Sequence, residues 1–222
     1  MAKEWPQVRV SMIGAAALLG GALLLGGCSG RGELDETGGV SAVRSACPQV
    51  GVPAATGDVT LFDPAGSRDA SAIDLVAYMT NVRSTCGDAG DQIVTNVTFD
   101  VAARRTRTDT PRDLDLRYFI TVVRGGSAVV AKRIGTVHLH FDAGAARAQV
   151  AGSASTTIAR AAATLPDAVR QQLTRRRRAG EEDAAVDPLA QPDVRQAVLR
   201  STFEALVGFQ LTDEQLRYNA TR

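Results

Sequence analysis

Between Ile93 and Val101 every second position belongs to one stripe: Ile93, Thr95, Val97, Phe99 and Val101, opposed by Asn96, Thr98 and Asp100. Successive side chains on an extended strand point to opposite faces, so this spacing gives one face to bury and one to wet. The pattern recurs three times. Ile73, Leu75, Ala77 and Met79 form a second stripe, with Asp74 and Thr80 among the opposite positions. Leu114, Leu116, Tyr118, Ile120 and Val122 form a third, and Val137, Leu139 and Phe141 alternate against Thr136, His138 and His140. Four such stripes call for antiparallel strands that cover a common core.

Turn chemistry connects them. Gly125-Gly126 lies between Tyr118-to-Arg124 and Ser127-to-Arg133 and predicts a two-residue hairpin, because the favoured hairpin turns need positive φ. Asp142-Ala143-Gly144 turns the chain into a strand over Ala148 to Ile158. The apolar parity changes across Gly135, which predicts a β-bulge there. Arg104 to Arg112, with Pro111 and several threonines and aspartates, reads as an exposed loop.

The last third changes period. Leu165, Val169 and Leu173 recur at helical spacing, with Pro166 suited to a first turn and Gly180 to a stop. A second helix is expected from Pro192-Asp193, with Val194, Val198, Leu199, Phe203, Leu206 and Val207 as its apolar face and Gly208 at its end. Thr212 and Gln215 have capping-box spacing for a final short turn carrying Leu216 and Tyr218. Strands followed by helices make the class α+β: an antiparallel β-sheet or sandwich followed by two C-terminal helices packed on it.

The beginning of the chain obeys another rule. Lys3 and Arg9 precede an almost wholly apolar or small run, Val10 to Leu25, shorter than the ~20 residues that span a bilayer. It ends in Leu25-Gly26-Gly27-Cys28. Here the chain resembles the bacterial lipoprotein precursors, whose signal peptide closes with a Leu-small-small-Cys lipobox. The resemblance covers residues 1 to about 29 and is silent on the folded domain. It implies cleavage before Cys28, a diacylglycerol on its sulfur and a third acyl chain on the new amino terminus. A buried methylene contributes about 0.8 kcal/mol, and one chain holds only marginally, so three chains make the attachment permanent. Ser29, where aspartate favours inner-membrane retention in the family, points to the outer membrane, with the domain facing the periplasm. The expected organisation is therefore 1–27 signal peptide, 28–46 lipidated terminus and glycine-rich linker, and 47–222 one periplasmic domain.

Cleavage after residue 27 of the 222 leaves 195 residues, enough for one domain with a substantial core. It also removes Lys3, Arg9 and Glu4, so the formal charge of +1 falls to zero. That balance argues against nucleic acid as a partner. Trp5, the only tryptophan, leaves with the leader, and the loss of stacking surface weighs against a sugar-binding module. Cys47 and Cys86 are an even pair without Cys-x-x-Cys spacing, which in an oxidising compartment reads as a structural disulfide.

Three features invite functional readings. His138 and His140 share one strand face, yet two ligands alone do not specify a metal site, and no metal or other cofactor is expected. Arg175, Arg176, Arg177 and Arg178 sweep around a helix end before Glu181, Glu182 and Asp183. They read as a solvated terminus, with contact to anionic lipid headgroups as the alternative. The stripe from Val194 to Val207 reads as core, with docking of a partner protein as the alternative. Gly-x-Ser-x-Gly, Ser-x-x-Lys, His-Glu-x-x-His, the Walker loop and the Rossmann glycine pattern do not occur. The expected function is a membrane-anchored envelope lipoprotein, a non-enzymatic binding or assembly accessory whose partners are membrane lipid at Cys28 and an envelope protein complex. An envelope hydrolase with a dispersed site, or a lipid- or peptidoglycan-binding module, is the alternative. Oligomeric state is not legible.

Overall fold

The computed structural model describes residues 45–175 and 186–221. The leader, Cys28 and most of the linker lie outside the described residues. Eight strands build two sheets: β1 (Gln49–Gly51), β2 (Asp58–Phe62), β3 (Ile73–Ala89), β4 (Gln92–Arg105), β5 (Arg112–Arg124), β6 (Ala128–Phe141), β7 (Arg147–Ala159) and β8 (Phe203–Phe209). One sheet has the order β1-β8-β5-β6 and the other β2-β3-β4-β7. All neighbours are antiparallel except β1 and β8, which run parallel. The helices are α1 (Arg160–Ala163), α2 (Asp167–Thr174), α3 (Pro192–Ser201) and α4 (Asp213–Thr221). The chain is thus a mostly β, α+β fold of two antiparallel-rich sheets with helices gathered toward its C-terminal end.

The stripes fill the space between the sheets. Leu75, Ala77 and Met79 of β3 and Val97, Phe99 and Val101 of β4 pack in one buried cluster with Leu116 and Ile120 of β5 and Val137, Leu139 and Phe141 of β6. Full burial of a Val, Leu or Phe contributes about 1.5–3 kcal/mol relative to exposure, so this cluster is the main stabilising unit. A second cluster joins Ile93, Val122, Ile158, Ala163 and Phe203, with Cys47 and Cys86 packed against it. Those two cysteines form a disulfide with Cα atoms 6.0 Å apart. It ties the start of β1 to β3, closing a loop worth about 4 kcal/mol at most by chain entropy.

Several expectations are corrected. The residues from Phe203 to Val207, expected in the second half of a helix that stops at Gly208, belong instead to the strand Phe203–Phe209 between β1 and β5. Phe203, Ala205, Val207 and Phe209 are all buried at period two. Helical spacing fits the same apolar residues, but the interior place in the sheet satisfies both edges of the backbone. Thr202 ends α3 by donating its amide to Leu199 O and its hydroxyl to Val198 O. Gly208, expected to stop a helix, lies inside β8. The strands-then-helices order therefore breaks at β8, and the two packed helices become four of unequal role. Val194, Ala197 and Val198 of α3 and Ala163 of α1 are buried, whereas α2 and α4 bury no residue fully. Gly180 lies outside the described residues.

Around the glycines, Gly125 and Gly126 do take positive φ, 62° and 79°, but the turn also includes Ser127, since Arg124 pairs with Ala128. The irregularity in this hairpin falls between Val122 and Val123, not at Gly135, which keeps regular register opposite Tyr118. Gly135 instead makes room for that ring: a Cβ there would sit 2.4 Å from Tyr118 Cζ. The tyrosine hydroxyl donates to Ser153 O on β7 at 2.7 Å, so Tyr118 bridges the two sheets where β6 and β7 approach. The expected loop from Arg104 is also shorter, because β4 runs through Arg105.

Candidate functional site

The outward face of the β5–β6 hairpin carries a cluster of ionisable side chains. Register places Asp113 opposite His140 and Asp115 opposite His138. His138 Nδ1 lies 2.5 Å from Asp115 Oδ1, and His140 Nδ1 lies 2.7 Å from Asp113 Oδ1. Asp142 approaches the other ring nitrogen of His140 at 3.3 Å. Cross-strand neighbours of opposite charge favour each other, which accounts for the pairing. The hydrogen bond that His140 donates to Asp113, the charge of that carboxylate, and the same two contributions from Asp142 raise the His140 pKa above its ordinary value.

The two imidazoles are 78% and 56% exposed, and among the described residues each bonds only to aspartate. No group of three or more His, Cys, Asp or Glu side chains is gathered to hold a metal among the described residues. The strand alternation located the histidines and their shared face correctly. It could not supply the aspartates, which come from the register of a different strand.

A second ionic group sits at the end of the sandwich where β3 begins. Asp74, on the nominally outward parity of β3, is buried. Arg112 donates to its Oδ2 at 2.8 Å, while Arg107 lies 3.7 Å from Oδ1 and pairs with Asp63 as well. The Asp63 contact, as hydrogen bond and as charge, raises the Arg107 pKa further. Beside it Arg105 is only 3% exposed. Its guanidinium donates to the carbonyls of Ala145, Thr110 and Asp142 at 2.7–2.9 Å. One sequence signal would have found Arg105: the β4 stripe, carried two steps past Ala103, puts it inward. Nothing local marks Asp74 as buried. Arg105 is held by backbone carbonyls, whereas Asp74 accepts from Arg112 through Oδ2 and leaves its buried Oδ1 without a hydrogen bond.

Shallow hollows open on the surface of the described residues. One, of about 410 Å³, runs beside the disulfide between Gln49–Val52 and Val82–Ser84. Another, of about 710 Å³, lies where Ala159–Ala161 meets Thr164–Asp167. Neither is lined by a histidine. Of the basic run, Arg175 is exposed at the end of the described segment, and Arg176, Arg177 and Arg178 lie outside the described residues. The apolar stripe from Val194 to Val207 is divided between α3 and β8 and is mostly core, with Leu199 left 40% exposed. No helix among the described residues is long and apolar enough to cross a membrane.

No protein-family model matches the chain, and no curated protein matches it. Among solved structures it is similar to a DUF1425 family member from Shewanella sp. pv-4. The two are 15% identical, with a TM-score of 0.24 over 49% of this chain and 93% of that chain.

Proposed function

We propose that the protein is an envelope lipoprotein, fastened to the periplasmic side of the outer membrane through acylated Cys28, whose domain serves as a non-enzymatic binding or assembly accessory. The observation that carries this is Leu25-Gly26-Gly27-Cys28 at the end of a charged-then-apolar leader. Ser29 supports the outer membrane over the inner. The Cys47–Cys86 disulfide is in keeping with an oxidising compartment. The outward, solvated setting of His138 and His140 favours an accessory over a hydrolase, since catalysis needs its acid or base beside a bound substrate.

The test is mass spectrometry of the mature amino terminus together with fractionation of a Cys28→Ser variant. A cleaved, triacylated Cys28 and a serine variant that stays as precursor are the expected results. An uncut wild-type chain, or a serine variant that matures and fractionates like wild type, would overturn the reading.

A further inference from the structure

His140 meets a carboxylate at each of its ring nitrogens. Nδ1 lies 2.7 Å from Asp113 Oδ1, and Nε2 lies 3.3 Å from Asp142 Oδ1. A neutral imidazole has a single N–H, so only one of the two carboxylates can accept from it. With that proton on Nδ1, at the shorter contact, the Nε2 lone pair faces the Asp142 oxygen. Two acceptors so placed are drawn together only by a cation that both can bind. The spacing suits a particular one. In a tetrahedral zinc site with bonds of about 2.0–2.1 Å, neighbouring donor atoms stand about 3.3–3.4 Å apart. Asp113 adds the outer partner that such a site uses, a carboxylate that takes the other N–H of the ligating imidazole and fixes its tautomer.

A third donor stands two residues back. His138 lies on the same face of β6, and its Nδ1 is held in the same way by Asp115, at 2.5 Å, which leaves Nε2 for a metal. Among the described residues no three such donors converge as they stand. The His138 ring is 78% exposed and has room to turn toward its neighbour. The backbone beneath is fixed, since β5 pairs with β6 along its length and Arg105 donates to Asp142 O at 2.8 Å. Imidazole nitrogens select zinc, copper or nickel, whereas magnesium and calcium prefer all-oxygen sites. We infer that His138, His140 and Asp142 bind a divalent transition metal of the zinc type, with water in the fourth position and Asp113 and Asp115 orienting the two rings. This site stands apart from the lipid anchor and holds with or without it.

The experiment is a zinc titration of the full-length chain at neutral pH, read in long-range proton–nitrogen correlation spectra of protein labelled only at histidine. His138 and His140 are the only histidines, so the spectra report on these two rings alone. Zinc in the micromolar range should shift Nε2 of both rings while each Nδ1 keeps its proton. Calorimetry should show His138→Ala, His140→Ala and Asp142→Asn each weakening binding about tenfold or more. Magnesium at the same concentration should shift neither nitrogen. All three side chains are exposed, and far-UV circular dichroism checks that the fold is kept. Shifts that need millimolar zinc, zinc seated on Nδ1, an affinity unchanged by any one of the three substitutions, or an equal response to magnesium would each overturn the inference.

Discussion

The guanidinium of Arg105 stacks on the ring of Phe141, with its central carbon 5.0 Å from the ring centroid. The charge faces an aromatic surface on one side and backbone carbonyls at its edge. Through those carbonyls one side chain holds the 106–110 segment and the turn at Asp142–Ala145 together.

Arg105→Ala should lower the stability of the domain by about 3 kcal/mol, because it removes three charge-assisted hydrogen bonds of a buried guanidinium and its packing on Phe141. Arg105→Lys should recover little of this, since an ammonium cannot reproduce the planar fork. Urea denaturation monitored by circular dichroism measures both. A loss below about 1 kcal/mol for the alanine variant would show that water takes over the carbonyls.

Gly135→Ala should destabilise the sandwich by about 1–3 kcal/mol, because the new methyl group displaces the Tyr118 ring and with it the bond to Ser153. In a Tyr118→Ala background the same change should cost almost nothing. A double-mutant cycle gives the coupling directly. Equal costs in both backgrounds would place the strain in the backbone of β6 and not in the ring.

His140 should titrate above an ordinary histidine, and Asp113→Asn should bring it down more than Asp142→Asn, following the order of their contributions. The folded pKa is raised, so the pairing stabilises the fold fully below the unfolded value near 6.5 and this is lost as pH rises through the folded value. Two-dimensional NMR of the imidazole protons follows the titration. A His140 pKa unmoved by Asp113→Asn would remove the cross-strand pair as its cause.

Much of the sandwich is legible along the chain. The stripes at Ile73, Ile93, Leu114 and Val137 become β3, β4, β5 and β6 with the expected buried faces, because strand period and burial are local consequences of one covered side. The capping box is equally local: Thr212 and Gln215 bond reciprocally at 2.9 and 3.2 Å, and the helix they start runs on to Thr221. β8 was not legible, since Phe203, Leu206 and Val207 satisfy helical spacing as well as alternation. The aspartate partners of His138 and His140 were not legible either, because register between strands is a property of the hairpin and not of either strand.

Alternation alone settled which faces turn inward, and a tetrapeptide alone carries the proposed attachment, for both depend only on near neighbours in the chain. Folding in three dimensions settled the rest: that Phe203 to Phe209 fills the gap between β1 and β5, that Arg105 and Asp74 are buried, and that Asp113 and Asp115 face His140 and His138. Each of these depends on residues distant in sequence, and burial of backbone and charge is decided there.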